Sequence, residues 1–182
     1  MGLAALETLP HLELADEFRL VGRLHPQARI DLLVRLLEWT IDALPSKPRS
    51  RLRGKRRRTV DAAMKMVRDA AAGSSEFDRD EVASLMERLW DLADDVEVLE
   101  LGQLFVALAG VAGVSAEDLT PEALIGTMSE CYDVIRDCED LPEFPVGTPE
   151  SIVLDQERAN ANCMRAIEFQ KRLVHETVQQ QQ

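Results

Sequence analysis

Aromatic residues are scarce: two Trp, one Tyr and five Phe make up 4% of 182 residues. Runs of β-branched residues are few, while Leu, Ala, Glu and Arg dominate, which is a vocabulary of helix formers. A sheet-built core is thereby excluded and an all-α protein predicted. A chain of this length makes a single domain whose core needs no covalent staples. Cysteine is limited to Cys131, Cys138 and Cys163, an odd count without CxxC spacing, so neither a disulfide framework nor a thiolate metal site is indicated. Cys131 and Cys138, two helical turns apart, would be separated by about 10 Å, beyond disulfide reach, and are expected as core thiols. The three histidines, His11, His25 and His175, fall in no HExxH or ExxH spacing, which leaves metal-assisted hydrolysis without a local signature. Nor is there a GxSxG, a GxxxxGKS/T or a GxGxxG after a strand, so nucleophilic, phosphoryl-transfer and dinucleotide chemistry have no motif. No cofactor is expected. The N-terminus, MGLAALETLPHLELADEF, has no basic stretch ahead of its apolar residues, unlike a secretory leader. No apolar run reaches the roughly 20 residues of a membrane span. The expectation is a cytoplasmic protein without a membrane partner.

What the chain does have is one uncharged stretch, LGQLFVALAGVAGVSA (residues 101–116), in a sequence that is 30% charged. Apolar on nearly every side, it predicts a buried helix near 97–112, with Gly102, Ala107, Ala109 and Gly110 allowing neighbours to approach. Around that hub a single-domain bundle of six or seven helices is predicted over residues 1–178. Residues 3–24, broken by Pro10, predict a short entry turn followed by a helix over about 12–22. Pro26 opens a helix with Ile30, Leu33, Val34, Leu37, Ile41 and Leu44 inward, and another over 56–72 stops at Gly73. Asp78 and Glu81 start a helix with Val82, Leu85, Met86, Leu89 and Trp90 inward. Thr120-Pro121-Glu122 and Thr148-Pro149-Glu150 repeat one start signal, a Thr cap followed by Pro at the first helical position. The first opens a helix to about Cys138. The second opens one continuous helix to about Thr177, roughly 43 Å long, with Ile152, Ala159, Cys163, Ala166, Ile167, Gln170 and Val174 inward. Val153, Leu154, Met164 and Leu173 are then left over, which allows a homodimer. Residues 47–58 are expected as an exposed basic loop, 139–149 as a Pro-rich connector and 179–182 as a disordered Gln tail.

The net charge of −12 conceals a division: residues 47–58, KPRSRLRGKRRR, hold eight of the 21 basic residues and no acid. The remainder carries 13 basic against 33 acidic residues, a net of −20. Residues 76–100 alone contain ten acids against Arg79 and Arg88. Within them Glu87, Asp91, Asp94 and Asp95 are the candidate partner-binding residues, a rigid acidic face complementary to a cationic protein such as a toxin domain. Two other readings stand beside it. Arg51, Arg53, Lys55, Arg56, Arg57 and Arg58 could bind nucleic acid or another polyanion through phosphates, although no aromatic is interleaved for base stacking. Alternatively, Asp91, Asp94 and Asp95, with 91 and 95 one helical turn apart, could hold Mg²⁺ in a helical enzyme.

Residues 28–45, ARIDLLVRLLEWTIDALP, followed by 58–73, RTVDAAMKMVRDAAAG, resemble the helical hairpins of all-α immunity proteins of bacterial polymorphic toxin systems. A helix closes in Leu-Pro, and an Ala-rich helix closes in Gly. The resemblance implies an inhibitor that covers the active site of a cognate toxin, and it carries no catalytic or binding motif across. Arg outnumbers Lys 17 to 4, a bias of GC-rich bacterial genomes. The sequence thus predicts a bacterial, non-catalytic, acidic binding protein.

Overall fold

The structure, a computed structural model, describes residues 8–142, 144–145 and 147–181, apart from the side chain of Val96. The expected entry turn lies largely outside them. The protein is all-helical: the described residues form ten α-helices and one 3-10 helix. Helices α1 (Leu9–Glu13) and α2 (Ala15–Val21) lead into α3 (Pro26–Ala43), which starts at Pro26 where a missing N–H is harmless. It ends at Leu44, forced into an extended backbone by Pro45. Ile30, Leu33, Leu37 and also Leu32, Leu36 and Thr40 are buried, so the stripe is wider than predicted and α3 is covered on several sides.

The expected basic loop is replaced by structure. Residues Ser46–Arg51 form α4, and Lys55 already begins α5 (Lys55–Ala71). Pro48 falls in the first turn of α4, where it costs no hydrogen bond, and Pro48 and Leu52 are buried beneath the charges around them. Gly54, at φ +58°, makes the corner between the two helices. The end of α5 follows the sequence closely. Gly73 takes φ +101°, its N–H donates to Ala70 and that of Ser74 to Asp69, which closes the helix with two bonds.

Asp78 caps α6 (Arg79–Ala93) by accepting from the Glu81 N–H at 2.9 Å. The predicted hub is two pieces. A 3-10 helix spans Val96–Leu101, and α7 covers Gly102–Val111. A Cβ at Gly102 would stand 3.2 Å from the Ala93 carbonyl, so α7 starts hard against the end of α6. Gly110 faces open space and has no packing role. Leu101, Leu104, Phe105 and Leu108 are fully buried, and α7 packs against α5, α6 and α8 (Pro121–Asp137). Helix α3 joins this layer to the rest by packing on α5, α8 and α10.

The long final helix is interrupted. Asn160 ends α9 (Glu150–Ala159) and caps α10 (Ala161–Gln180), its side-chain oxygen accepting from the N–H groups of Asn162 and Cys163. Because the break shifts the helical phase, Ile152 and Ala159 are exposed, while Leu154 is buried. Leu173 is buried too, so neither leucine remains for a homodimer. Thr120 caps α8 as expected, whereas the Thr148 hydroxyl donates to the Pro145 carbonyl and caps nothing. The Gln tail is helical as far as Gln180. Among the described residues no helix is long and apolar enough to cross a membrane.

Candidate functional site

Helix α6 turns Leu85, Leu89 and Leu92 inward, at the four- and three-residue spacing that fixes one face to the core. The opposite face presents Glu87, Asp91 and Asp94 to solvent, and none of the three makes an ion pair or side-chain hydrogen bond within the described residues. Trp90, expected inward, is 48% exposed among them. The leucine spacing explains why: at positions 85, 89 and 92 the core side of α6 is filled, and residue 90 lies on its outer edge. Leu99, 67% exposed, is a second uncovered apolar side chain in the segment that follows.

Asp95 belongs to a different structure. Its carboxylate accepts from the Glu97 N–H at 3.0 Å, capping the 3-10 helix, and from Arg56 at 2.7 Å. The Arg56 guanidinium and the Glu97 amide hold its carboxyl below the ordinary aspartate value. Arg56 also reaches Glu97 at 2.9 Å, and Arg51 donates to the Glu97 carbonyl at 2.9 Å and to Glu100 at 2.6 Å. Two of the arginines assigned to a polyanion site are therefore bound to the protein's own acids, and Arg57 pairs with Asp61 on its own helix. Arg53, Lys55 and Arg58 remain exposed without a carboxylate partner among the described residues. Arg53, Lys55 and Arg56 face Asp91, Leu92 and Asp95 across a cleft of about 570 Å³. The two rival surfaces thus meet edge to edge, and the acidic wall of the cleft opposes any phosphate that the basic wall would attract.

The other chemical readings find little geometry. Asp91, Asp94 and Asp95 do not converge, and among the described residues no group of three or more His, Cys, Asp or Glu side chains is placed to hold a metal ion. Cys131 is a buried core thiol and Cys163 faces inward, both as expected, whereas Cys138, also expected in the core, is half-buried with its thiol directed at the Glu100 carbonyl. Burial pushes all three up, Cys131 and Cys138 to about 12 and Cys163 to about 11, so none is a thiolate at neutral pH. His11 pairs with the Thr8 hydroxyl at 2.8 Å, and His175 with Glu17 at 3.0 Å.

A polar constellation not foreseen in the sequence sits where α8 meets α9. The Tyr132 hydroxyl, fully buried, donates to Glu157 Oε2 at 2.7 Å, and Glu157 is itself 6% exposed. Arg136 spends its guanidinium on Asp133 at 2.7 Å and Asp137 at 2.9 Å. Burial nevertheless raises the Asp133 carboxyl to about 6. The Glu139 carboxylate is divided between the side-chain amides of Asn160 at 3.0 Å and Asn162 at 2.8 Å. The sequence signal for this group is an aromatic on the buried stripe of α8 with charges beside it, which periodicity assigns to packing. Comparison of the chain with protein-family models, with curated proteins and with solved structures finds no significant match.

Proposed function

We propose that this is a non-catalytic binding protein that docks the outer face of α6 on a cationic protein partner, in the manner of an immunity protein that inhibits a toxin. The observation that carries the reading is Trp90, half-exposed and flanked by carboxylates at Glu87, Asp91 and Asp94 that have no cation of their own among the described residues. Solubility needs charge but has no use for an uncovered indole. An aromatic anchor ringed by charge is instead the composition of an interface hot spot, and it offers arginine or lysine both a ring face and a carboxylate. The unpaired acids would steer a cationic partner and raise its association rate. Asp95 drops out of the docking set because Arg56 already holds it; its role is to fix the rim from which the face projects.

The test is retention from a nuclease-treated lysate of the source organism. A basic protein should be captured, with capture weakening as salt rises, and lost in the triple variant Glu87→Lys, Asp91→Lys, Asp94→Lys and in Trp90→Ala. Reversal of Arg53, Lys55 and Arg58 to Glu should leave it intact. Capture that disappears with nuclease, or survives the α6 variants and fails in the basic ones, would transfer the function to the polyanion surface.

A further inference from the structure

We propose a second binding site, independent of the α6 reading: the cleft between α8, the connector and α9 takes an organic cation, an ammonium or guanidinium on an apolar stem. The cleft encloses about 300 Å³ and has Leu141, Pro142, Phe144 and Val153 as apolar walls, with Glu157, Glu139, Asp137 and Arg136 as its polar lining. Of these polar groups, three are already satisfied. Arg136 is committed to Asp133 and Asp137, and Glu139 to Asn160 and Asn162. Glu157 is not. It is more than nine-tenths buried, one oxygen accepts from Tyr132, the other has no hydrogen bond within the described residues, and the side chain lines the cleft.

A buried carboxylate without a paired cation is costly, and such groups are ordinarily neutralised by a partner. The guanidinium near enough to serve, Arg136, is turned to two other acids. Among the described residues Asp133, Asp137 and Glu157 act on Arg136, and Glu139 lines the same cleft, an acidic balance that disfavours an anionic ligand and favours a cationic one. The walls set the rest of the chemistry, since a hydrated metal ion has no use for Leu141, Pro142, Phe144 and Val153, whereas an aryl or alkyl stem does. A free amine and the side chain of a basic residue share these features.

The probes are 2-phenylethylamine, its neutral counterpart 2-phenylethanol, and the blocked dipeptide acetyl-Phe-Arg-amide, titrated into the full chain by calorimetry and followed by thermal shift. Binding of an amine or guanidinium probe, with a raised Tm and no effect of the alcohol, is the expected result. Glu157→Gln, which keeps an oxygen to accept from Tyr132, should weaken it about tenfold to a hundredfold, the scale of one charged hydrogen bond. Val153→Trp, which fills the cleft and leaves Glu157 in place, should abolish it. Preference for the free amine identifies a small-molecule site, and preference for the dipeptide a pocket for a partner's basic side chain. Absence of binding by both cations at millimolar concentration, equal binding of the alcohol, or unchanged affinity in both variants would overturn the proposal.

Discussion

Replacing Tyr132 by Phe removes one oxygen atom from the interior and keeps the ring. Tyr132 is fully buried and Glu157 nearly so, and their hydrogen bond is 2.7 Å long. No cavity larger than a hydroxyl is created, so the cost is that of leaving a buried carboxylate oxygen without its donor, about 1.5–3 kcal/mol for a bond to a charged group. At this chain length each kcal/mol moves Tm by about 2–4 °C, and the variant should melt roughly 3–12 °C lower. Urea unfolding gives the free energy directly, and an unchanged m-value would show that the variant differs in stability and not in compactness. The charge is isolated by a cycle: in a Glu157→Gln background the same loss of hydroxyl should cost only about 0.5–1.5 kcal/mol, the neutral value. A Tyr132→Phe cost below about 0.5 kcal/mol, or one that is the same in both backgrounds, would refute a charged, buried bond at this position.

Gly113→Ala places a Cβ 2.6 Å from Val82 Cγ2 on a backbone at φ +75°; overpacking and the φ penalty should together cost about 2–4 kcal/mol, partly recovered by adding Val82→Ala. Asn160→Ala should lower stability by about 0.5–2 kcal/mol through loss of the α10 cap, measured by urea unfolding, and a neutral outcome would mean that the α9–α10 break does not depend on the cap. The Asp133 carboxyl is raised by burial to about 6 in the folded protein, so its contribution to stability declines as pH rises from the ordinary aspartate value to about 6 and is constant above. Asp133→Asn removes that decline, and the difference in Tm, variant minus wild type, should grow across that window and then level off. For Asp95, held low by Arg56, the sign is opposite: its stabilisation is complete above the ordinary aspartate value and is lost as pH falls through its depressed folded value. Arg56→Ala should move the Asp95 titration, followed by NMR, back toward the ordinary range.

The elements that could be read from the sequence are those whose signals are local. The Asp78 cap, the Thr120 cap with Pro121, the left-handed Gly73 and the Pro26 start each act within one turn, and each is where the residues placed it. The failures share one cause, a local signal outweighed by a distant contact. The prolines and unrelieved charge of the basic segment predict a loop, yet Pro48 and Leu52 are buried and Arg51 reaches 49 residues ahead to Glu100. Asn160 falls inside the single helix that the apolar spacing predicts from Pro149 to about Thr177. What makes it a break is the cap geometry together with Glu139, 21 residues earlier, which binds its side chain. Trp90 faces outward because an indole at the edge of an apolar stripe fits either side, and the burial of Leu85, Leu89 and Leu92 decides which. At the candidate site, Glu87, Asp91 and Asp94 were readable as an acidic face, but the loss of Asp95 to Arg56 depends on a pairing across 39 residues that no spacing rule reports.

That pairing also changes what the charge division means. In the sequence, the +8 segment and the acidic stretch at 76–100 look like two surfaces for two kinds of partner. In the fold, Arg51 and Arg56 reach across to Asp95, Glu97 and Glu100, so part of the basic run is neutralised by the C-terminal end of the acidic one. Among the described residues, Glu87, Asp91 and Asp94 on one side and Arg53, Lys55 and Arg58 on the other are among the charges left without an ion pair. The clamp tethers the start of α5 and the end of α4 to the 3-10 helix that joins α6 to α7, the corner from which the acidic face projects. Since partly exposed ion pairs contribute little stability singly, the value of this one lies in geometry. It fixes the corner that follows α6, so that a partner docking on α6 as proposed would meet a surface whose ordering cost has already been met in folding.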